Sequence, residues 1–405
     1  MSRSILVVGT GAAGLTVAEE LRRLGYDDAL TLVGGEDHPP YDRPPLSKRF
    51  LKGEAGPEQL WLAGPDALER LDASEYRGRR AVAADLAARV VTLDDGTALP
   101  YTDLVVATGV APRTLPGTAG LPGAVTLKTV EDAATLAGRL RPGQRLVVVG
   151  GGFLGTETAW TALSLGCEVT LVTPASTVLP GLGPHVGALA GERLTAAGAT
   201  VLTGATVEKI HQGGRLPRDE GLEVLLDDGT RLTAGTVLTA IGSAPDVDWL
   251  TRTELDLSDG VRCDAVGRAA PGVHACGDVA AWYHPRSGRH LRLEHRMHAG
   301  DQARVVAADL LGQRRDLEWV PYFWTDQGPH KIAVHGLITP EAEYEPHEAD
   351  PEDDRFTGVY RTDGRVCAVL GWNAPRQVLR LRRELLTTPG PTEALPPAAP
   401  KTEPA

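Results

Sequence analysis

Two runs of residues offer the same chemistry. Gly9-Thr10-Gly11-Ala12-Ala13-Gly14 and Gly150-Gly151-Gly152-Phe153-Leu154-Gly155 each carry glycine at the first, third and sixth positions. In such a turn the first glycine permits a tight reversal. The second lets backbone N–H groups approach a pyrophosphate, and the third lets a helix pack closely on a strand. The anion then rests on the helix N-terminus, where unpaired N–H groups and the helix dipole favour negative charge. Glu36, about 20 residues beyond the first turn, stands where a carboxylate accepts from an adenosine ribose hydroxyl. After the second turn the expected place is Thr173, with neither an acid to repel nor a cation to attract a 2′-phosphate. NADH and NADPH are therefore left undecided by these residues.

Each turn needs a strand before it and a helix after it, and the sequence supplies both. SILVVGTGAAGLTVAEELRRLG runs from β-branched residues through glycines into an amphipathic pattern, and ALTLVGGE adds a second apolar strand. RLVVVGGGFLGTETAWTALSLG followed by CEVTLVT repeats that order, with Leu154, Ala159, Ala162 and Leu163 at helical spacing. A further repeat supports duplication: VTLDDGTALPYTDLVVATGVAP at 91–112 aligns without gaps to VLLDDGTRLTAGTVLTAIGSAP at 224–245. Each copy reads as a hairpin turning at Asp-Asp-Gly, then a buried strand that stops at a Gly-containing loop.

The expected fold is α/β, with two Rossmann-like dinucleotide-binding domains and a small C-terminal α+β domain. PGVHACGDVAAW at 271–282 reads as a strand, a glycine and a helix that return the chain to the first domain, which makes that domain discontinuous. The boundaries fall at 1–112 plus 246–319, 113–245, and 320–387. Residues 388–405 are Pro-rich and poor in large apolar groups, the composition of a disordered tail.

Composition narrows the function. A chain of 405 residues, 42% hydrophobic and 23% charged, is an ordinary multidomain globular protein. Its formal charge of −12 argues against nucleic-acid binding, which needs a basic field. No apolar run reaches the roughly 20 residues of a membrane helix, and no signal peptide opens the chain. The four cysteines, Cys167, Cys263, Cys276 and Cys367, show no C-x-x-C and no metal-ligand spacing, so a cytoplasmic setting without a metal site is expected. Two dinucleotide sites in one chain bring two redox-active rings together. A resident flavin, FAD, paired with an exchanging nicotinamide dinucleotide satisfies this, because a flavin accepts a hydride and releases electrons singly.

The stretches GTGAAG, LVGGEDHPPYDRPPLSK, ATGVAPR, TVEDA, GGGFLGTETA, ACGDVA, RLEH and VPYFWTDQ, in this order, resemble the FAD-dependent, putidaredoxin-reductase-like ferredoxin reductases of bacterial oxygenase systems. These belong to the glutathione-reductase-like flavoproteins. The resemblance implies that Arg43 and Lys48 lie along the FAD and that Lys48 pairs with Glu157 as the catalytic couple beside the flavin. It implies FAD contacts from Gly9, Gly11, Ala12, Ala13, Gly14, Glu36, Ala81, Ala107, Thr108, Gly109, Arg113, Lys128, Gly277, Asp278, Arg296 and Trp324. Gly150, Gly152, Phe153, Leu154, Gly155 and Gly242 would then serve the NADH or NADPH site.

The implied partner is an iron-sulfur ferredoxin serving a monooxygenase or dioxygenase, and the implied state is a monomer or weak homodimer. Arg286, Arg289, Arg292 and Arg296, and separately Arg376, Arg380, Arg382 and Arg383, are candidate docking charges for an acidic ferredoxin. Lys128, Arg296 and Gly328-Pro329-His330 depart from the family pattern. His295, His298 and His330 are expected near one region. Pro44, Pro45, Leu46 and Ser47 occupy the region where disulfide reductases carry C-x4-C, so no thiol relays electrons here. A flavin oxidase, a partner-free small-molecule reductase and a redox-sensing protein of the apoptosis-inducing-factor type remain open as alternatives.

Overall fold

A computed structural model describes residues 3–387, apart from 65, 216–219, 286, 316, 318–319 and 351–353. The tail at 388–405 and Arg286 lie outside the described residues.

Ser4–Val8 has no polar face to show to water, and it lies in the interior of a mostly parallel sheet whose edge strand Arg268–Ala270 runs antiparallel. That sheet has the strand order Arg268–Ala270, Val273–Ala275, Asp103–Val106, Ser4–Val8, Ala29–Gly34, Ser74–Arg77. A second sheet follows the same plan around Arg145–Val149, in the order Thr200–Thr203, Glu168–Thr173, Arg145–Val149, Thr236–Thr239, Ala124–Val125. In both, the central strand runs parallel to its two neighbours and feeds a glycine turn and a helix, Ala12–Arg23 in the first and Phe153–Ser164 in the second. Each Asp-Asp-Gly hairpin belongs to a three-stranded antiparallel sheet, with Gly96 and Gly229 at positive φ in the turns. The repeats also meet: Val110–Pro112 pairs antiparallel with Ser243–Pro245, so the two connections between the nucleotide folds form one ribbon.

Val273–Ala275 pairs with Asp103–Val106, so the chain does re-enter the first sheet after the second is complete. The helix expected after Gly277 is absent. Ala280–His284 is a strand, paired parallel with Val261–Cys263 and antiparallel with Arg289–Arg292. A short apolar run such as VAAW carries no periodicity that separates a strand from a helix. Burial of Trp282, whose Nε1 donates to the Ala275 carbonyl, fixes it as a strand here. The helix of this segment is Arg296–Leu310, packed against Ala12–Arg23.

The C-terminal unit is a five-stranded antiparallel sheet, ordered Tyr322–Gln327, His330–Gly336, Arg365–Trp372, Arg355–Thr362, Glu343–Asp350, with the helix Pro375–Thr387 packed on it. Its edge strand Glu343–Asp350 gave no apolar alternation in the sequence, because nearly all its side chains are exposed and Pro346 sits beside a bulge. Leu46–Phe50 is a single π-helical turn closed by Phe50 N–H donating to the Pro45 carbonyl.

Candidate active site

The glycines act as their spacing requires. Gly9 has φ +114° and Gly150 φ +118°, and a Cβ on either would collide with a neighbouring carbonyl, that of Ala107 or Ala240. A Cβ on Gly14 would strike the Gly9 carbonyl, and one on Gly155 the Gly150 carbonyl, so these two let helix approach strand. Gly11 and Gly152 are different. A Cβ there would meet nothing within 4 Å, so each backbone faces open space at a helix start. Neither helix has a side-chain cap or an acidic residue in its first turn, which leaves both N-termini suited to a phosphate.

The first turn opens into a cleft of about 1190 Å³ lined by Gly9, Gly11, Ala12, Ala13, Glu36, Arg43, Lys48, Ala81, Ala107, Thr108, Gly109, Lys128, Gly277, Asp278, Arg296 and Trp324. Phe153, Leu154 and Glu157 of the second helix reach the same cleft. Gly150, Gly152, Gly155 and Gly242 do not line it. Arg113 is also outside. Its guanidinium donates to the Ser243 carbonyl and its N–H to the Gly242 carbonyl, so it ties the two connecting strands together.

At one end of the cleft Arg43 sits 2.5 Å from Glu36 Oε1, donates to the Tyr41 hydroxyl and donates to the Lys128 carbonyl at 2.7 Å. The Tyr41 hydroxyl donates to Glu36 Oε2, and burial pushes its acidity down. Glu36 is thus already oriented for a ribose hydroxyl by two donors. Tyr41 was not singled out in the sequence, since a lone tyrosine between prolines carries no signal. Further along, Lys128 Nζ and Asp278 Oδ2 stand 4.0 Å apart, beyond hydrogen-bond length. Burial and the nearby Arg43 hold the Lys128 ammonium below the usual lysine range, while burial raises the Asp278 carboxyl against the pull of Lys128. Two half-buried opposite charges that stop short of each other suit a polar chain lying between them. The uncapped helix, the open Gly11 backbone and this pair fit the pyrophosphate and ribityl portion of FAD.

Deeper in the cleft, Lys48 Nζ lies 2.8 Å from Glu157 Oε2 and donates to the Pro44 carbonyl. The π-helical turn presents Lys48 and Ser47 together, and the Ser47 hydroxyl also donates to Glu157 Oε2 at 2.8 Å. Thr325 Oγ1 donates to Glu157 Oε1 at 2.6 Å, and Asp326 N–H does so at 3.3 Å. Glu157 is therefore held by the first nucleotide fold and by the C-terminal sheet at once. The contacts of Ser47 and Thr325 with Glu157 escaped the sequence reading because hydroxyl residues are common, and only the fold brings them to one carboxylate.

At the mouth, Arg296 pairs with Asp42 at 2.5 Å. Arg292 is likewise engaged, with Asp259 at 2.9 Å and Glu294 at 2.6 Å. Trp324 stacks on Tyr322 with centroids 6.0 Å apart, and Phe323 lies 5.2 Å from Phe153 and 4.8 Å from His295. The three histidines do not share a region. His295 lines the cleft. His298 is buried behind it in the helix, and burial holds both near pKa 4. His330 is remote from them, packed among Trp160 and Trp372 with its Nδ1 2.9 Å from Asp354. Arg376 and Arg380 are exposed on the C-terminal helix, outside the cleft. None of the four cysteines lines it. Among the described residues there is no group of three or more His, Cys, Asp or Glu that could hold a metal ion, and no helix long and apolar enough to cross a membrane.

A doubled nucleotide fold with a buried Lys–Glu pair between the copies and an antiparallel C-terminal sheet defines a two-dinucleotide flavoprotein oxidoreductase. Residues 3–303 match the pyridine nucleotide-disulphide oxidoreductase family model, and residues 322–396 match the reductase C-terminal model. The chain belongs to the pyridine nucleotide-disulphide oxidoreductase family, whose cofactors are FAD and NAD(P)H. It is 36% identical to the ferredoxin reductase component of a chlorobenzene dioxygenase from Cupriavidus sp. (strain PS12), over 93% of this chain and 90% of that one. It is 36% identical to putidaredoxin reductase from Pseudomonas putida, over 82% and 80%. Among solved structures it is similar to the reductase in the covalent putidaredoxin reductase–putidaredoxin complex, with TM-score 0.87, 32% identity and coverage of 94% and 92%. It also matches the ferredoxin reductase for the CYP199A2 system from Rhodopseudomonas palustris, with TM-score 0.88, 30% identity and coverage of 96% of both chains.

Proposed function

We propose that this chain is an NAD(P)H-dependent ferredoxin reductase that passes electrons singly to an iron-sulfur ferredoxin of an oxygenase system. The observation that carries the reading is the Lys48–Glu157 pair, set where the first cleft meets the helix of the second glycine turn, in a cleft that no cysteine lines. Bound FAD supplies the conversion of a two-electron hydride donor into single electrons.

The residues divide the remaining work. Gly9, Gly11, Ala12 and Ala13 present N–H groups and space to the FAD pyrophosphate, Glu36 accepts from the adenosine ribose, and Lys128 and Asp278 hold the chain between the rings. Ala81, Ala107, Thr108, Gly109, Gly277 and Arg43 complete the wall. Gly150, Gly152, Phe153, Leu154 and Gly155 receive the nicotinamide dinucleotide, and Gly242 leaves the approach to it open. Lys48 would hold an ammonium against the bound flavin, and Glu157 fixes that ammonium while its own carboxylate is held by Ser47, Thr325 and Asp326. Trp324 and Arg296 border the exit toward the ferredoxin.

The domain limits follow from this division: 1–112 with 246–319 for FAD, 113–245 for NAD(P)H, and 320–387 as the interface unit. The setting is the cytoplasm, where both nucleotides and ferredoxins occur. The test is anaerobic mixing of purified yellow protein with NADH, followed by ferredoxin and cytochrome c. Fast flavin bleaching with ferredoxin-dependent cytochrome reduction is the expected result. Rapid oxygen consumption without any ferredoxin effect would overturn it in favour of an oxidase.

A further inference from the structure

The two nucleotide folds can be matched residue by residue through their own hydrogen bonds. Ser4 faces Ala29 in the first sheet as Arg145 faces Glu168 in the second. Gly9 N–H donates to the Val33 carbonyl and Gly150 N–H to that of Val172. The match continues past the strands. Arg79 N–H donates to the Gly34 carbonyl and Ala205 N–H to that of Thr173, while Gly78 N–H donates to the Glu36 carbonyl and Gly204 N–H to that of Ala175. Asp94 N–H donates to the Arg80 carbonyl as Asp227 N–H does to that of Thr206. Thr173 is therefore the counterpart of Gly34, and its side chain fills the space over Gly151 as Thr10 fills the space over Gly34. The counterpart of Glu36 is Ala175.

This correspondence moves the ribose position two residues beyond the strand end and strips it of charge. In the first fold it carries Glu36, with Arg79 and Arg80 on the facing segment lining the same cleft. In the second the same three places hold Ala175, Ala205 and Thr206. A carboxylate here accepts from a 2′-hydroxyl and repels a 2′-phosphate, and an arginine does the reverse. Ala175 does neither. Next to it in the chain is exposed Ser176, whose hydroxyl donates to a phosphate as readily as it accepts from a hydroxyl. The charge next to Thr206 is Asp227, which is exposed to screening solvent and whose carboxylate accepts from Thr206 N–H at 3.1 Å.

We propose that the nicotinamide-dinucleotide site of this chain does not discriminate at the adenosine 2′ position, so that NADH and NADPH both serve as hydride donors. The inference rests on the reading of the second glycine turn as the pyridine-nucleotide site. It is tested on the full-length holoprotein by stopped-flow flavin reduction with each nucleotide. Calorimetric binding of ADP-ribose and 2′-phospho-ADP-ribose, which needs no turnover, is measured in parallel. The two kcat/KM values are expected within about thirtyfold of each other. Ala175→Glu should shift the ratio toward NADH, and Ala175→Arg toward NADPH, each by about tenfold or more. A wild-type preference beyond about thirtyfold, or a ratio that neither variant moves, overturns the proposal. If neither nucleotide bleaches the flavin and neither ribose probe binds, the reading of the second turn fails first, and the proposal falls with it.

Discussion

Lys48 and Glu157 lie 109 residues apart in sequence and 2.8 Å apart in space. The ammonium comes from a π-helical turn beside the first nucleotide fold, and the carboxylate from the helix that opens the second. Their contact exists only when both folds are complete and docked.

Because the pair is largely sheltered from water, its two halves fail differently when removed. Glu157→Gln keeps the shape and loses the charge that fixes Lys48. Flavin reduction by NADH should slow by about ten- to a hundredfold, with nucleotide affinity changing far less, as stopped-flow traces at several NADH concentrations would separate. Lys48→Met leaves the Glu157 carboxylate with Ser47, Thr325 and Asp326 N–H as donors. It should destabilise the fold by about 2–3 kcal/mol, less than the usual cost of an orphaned buried charge, in urea denaturation.

The two first glycines should separate the two nucleotides. Gly9→Ala forces a Cβ against the Ala107 carbonyl, and the purified variant should hold FAD about tenfold or more less tightly. Gly150→Ala makes the matching collision with Ala240 and should stay yellow while its KM for NADH rises by about tenfold. Absorbance at 450 nm and a KM series measure the two effects on the same preparations.

Electron transfer should survive the loss of every thiol. Cys263 and Cys276 are buried, and burial pushes the Cys276 thiol up to about 12 and that of Cys263 higher still, so neither ionises in the working range. A variant with all four cysteines replaced by alanine is expected to keep ferredoxin-dependent turnover within about twofold, since thiolate chemistry has no part in it. A loss of turnover with unchanged flavin content and melting temperature would contradict a direct route.

Acid should weaken the fold through its buried histidines. Burial holds His295, His298 and His335 near pKa 4, against 6.5 in the open chain. Between those values the unfolded chain binds protons that the native protein refuses. Stability is therefore full above about pH 6.5 and falls as pH drops toward 4, by up to about 1.4 kcal/mol per pH unit for each histidine. Denaturant midpoints at pH 7.5 and 5 should show this, and His298→Gln should flatten the slope.

Much of the fold was legible because glycine turns, β-branched strands and helical spacing are local patterns. The duplication was visible for the same reason, since both copies keep the same short-range constraints. The segment after Gly277 was misread as a helix because four apolar residues have no period. The acidic edge strand Glu343–Asp350 passed unnoticed because an exposed strand needs no apolar face. The ion pairs of the docking candidates Arg292 and Arg296, with Asp259 and Asp42, were not legible for another reason: such partners are chosen by tertiary proximity.

Residue order alone was enough to specify two nucleotide folds and their glycine turns, because each depends on residue type within a few positions. Folding in three dimensions decided which side chains meet: Tyr41 and Arg43 on the Glu36 carboxylate, Ser47 and Thr325 on that of Glu157, with Ala175 in the place that Glu36 occupies in the other copy. Such meetings depend on strand register and domain docking, which bring together residues that no local pattern connects.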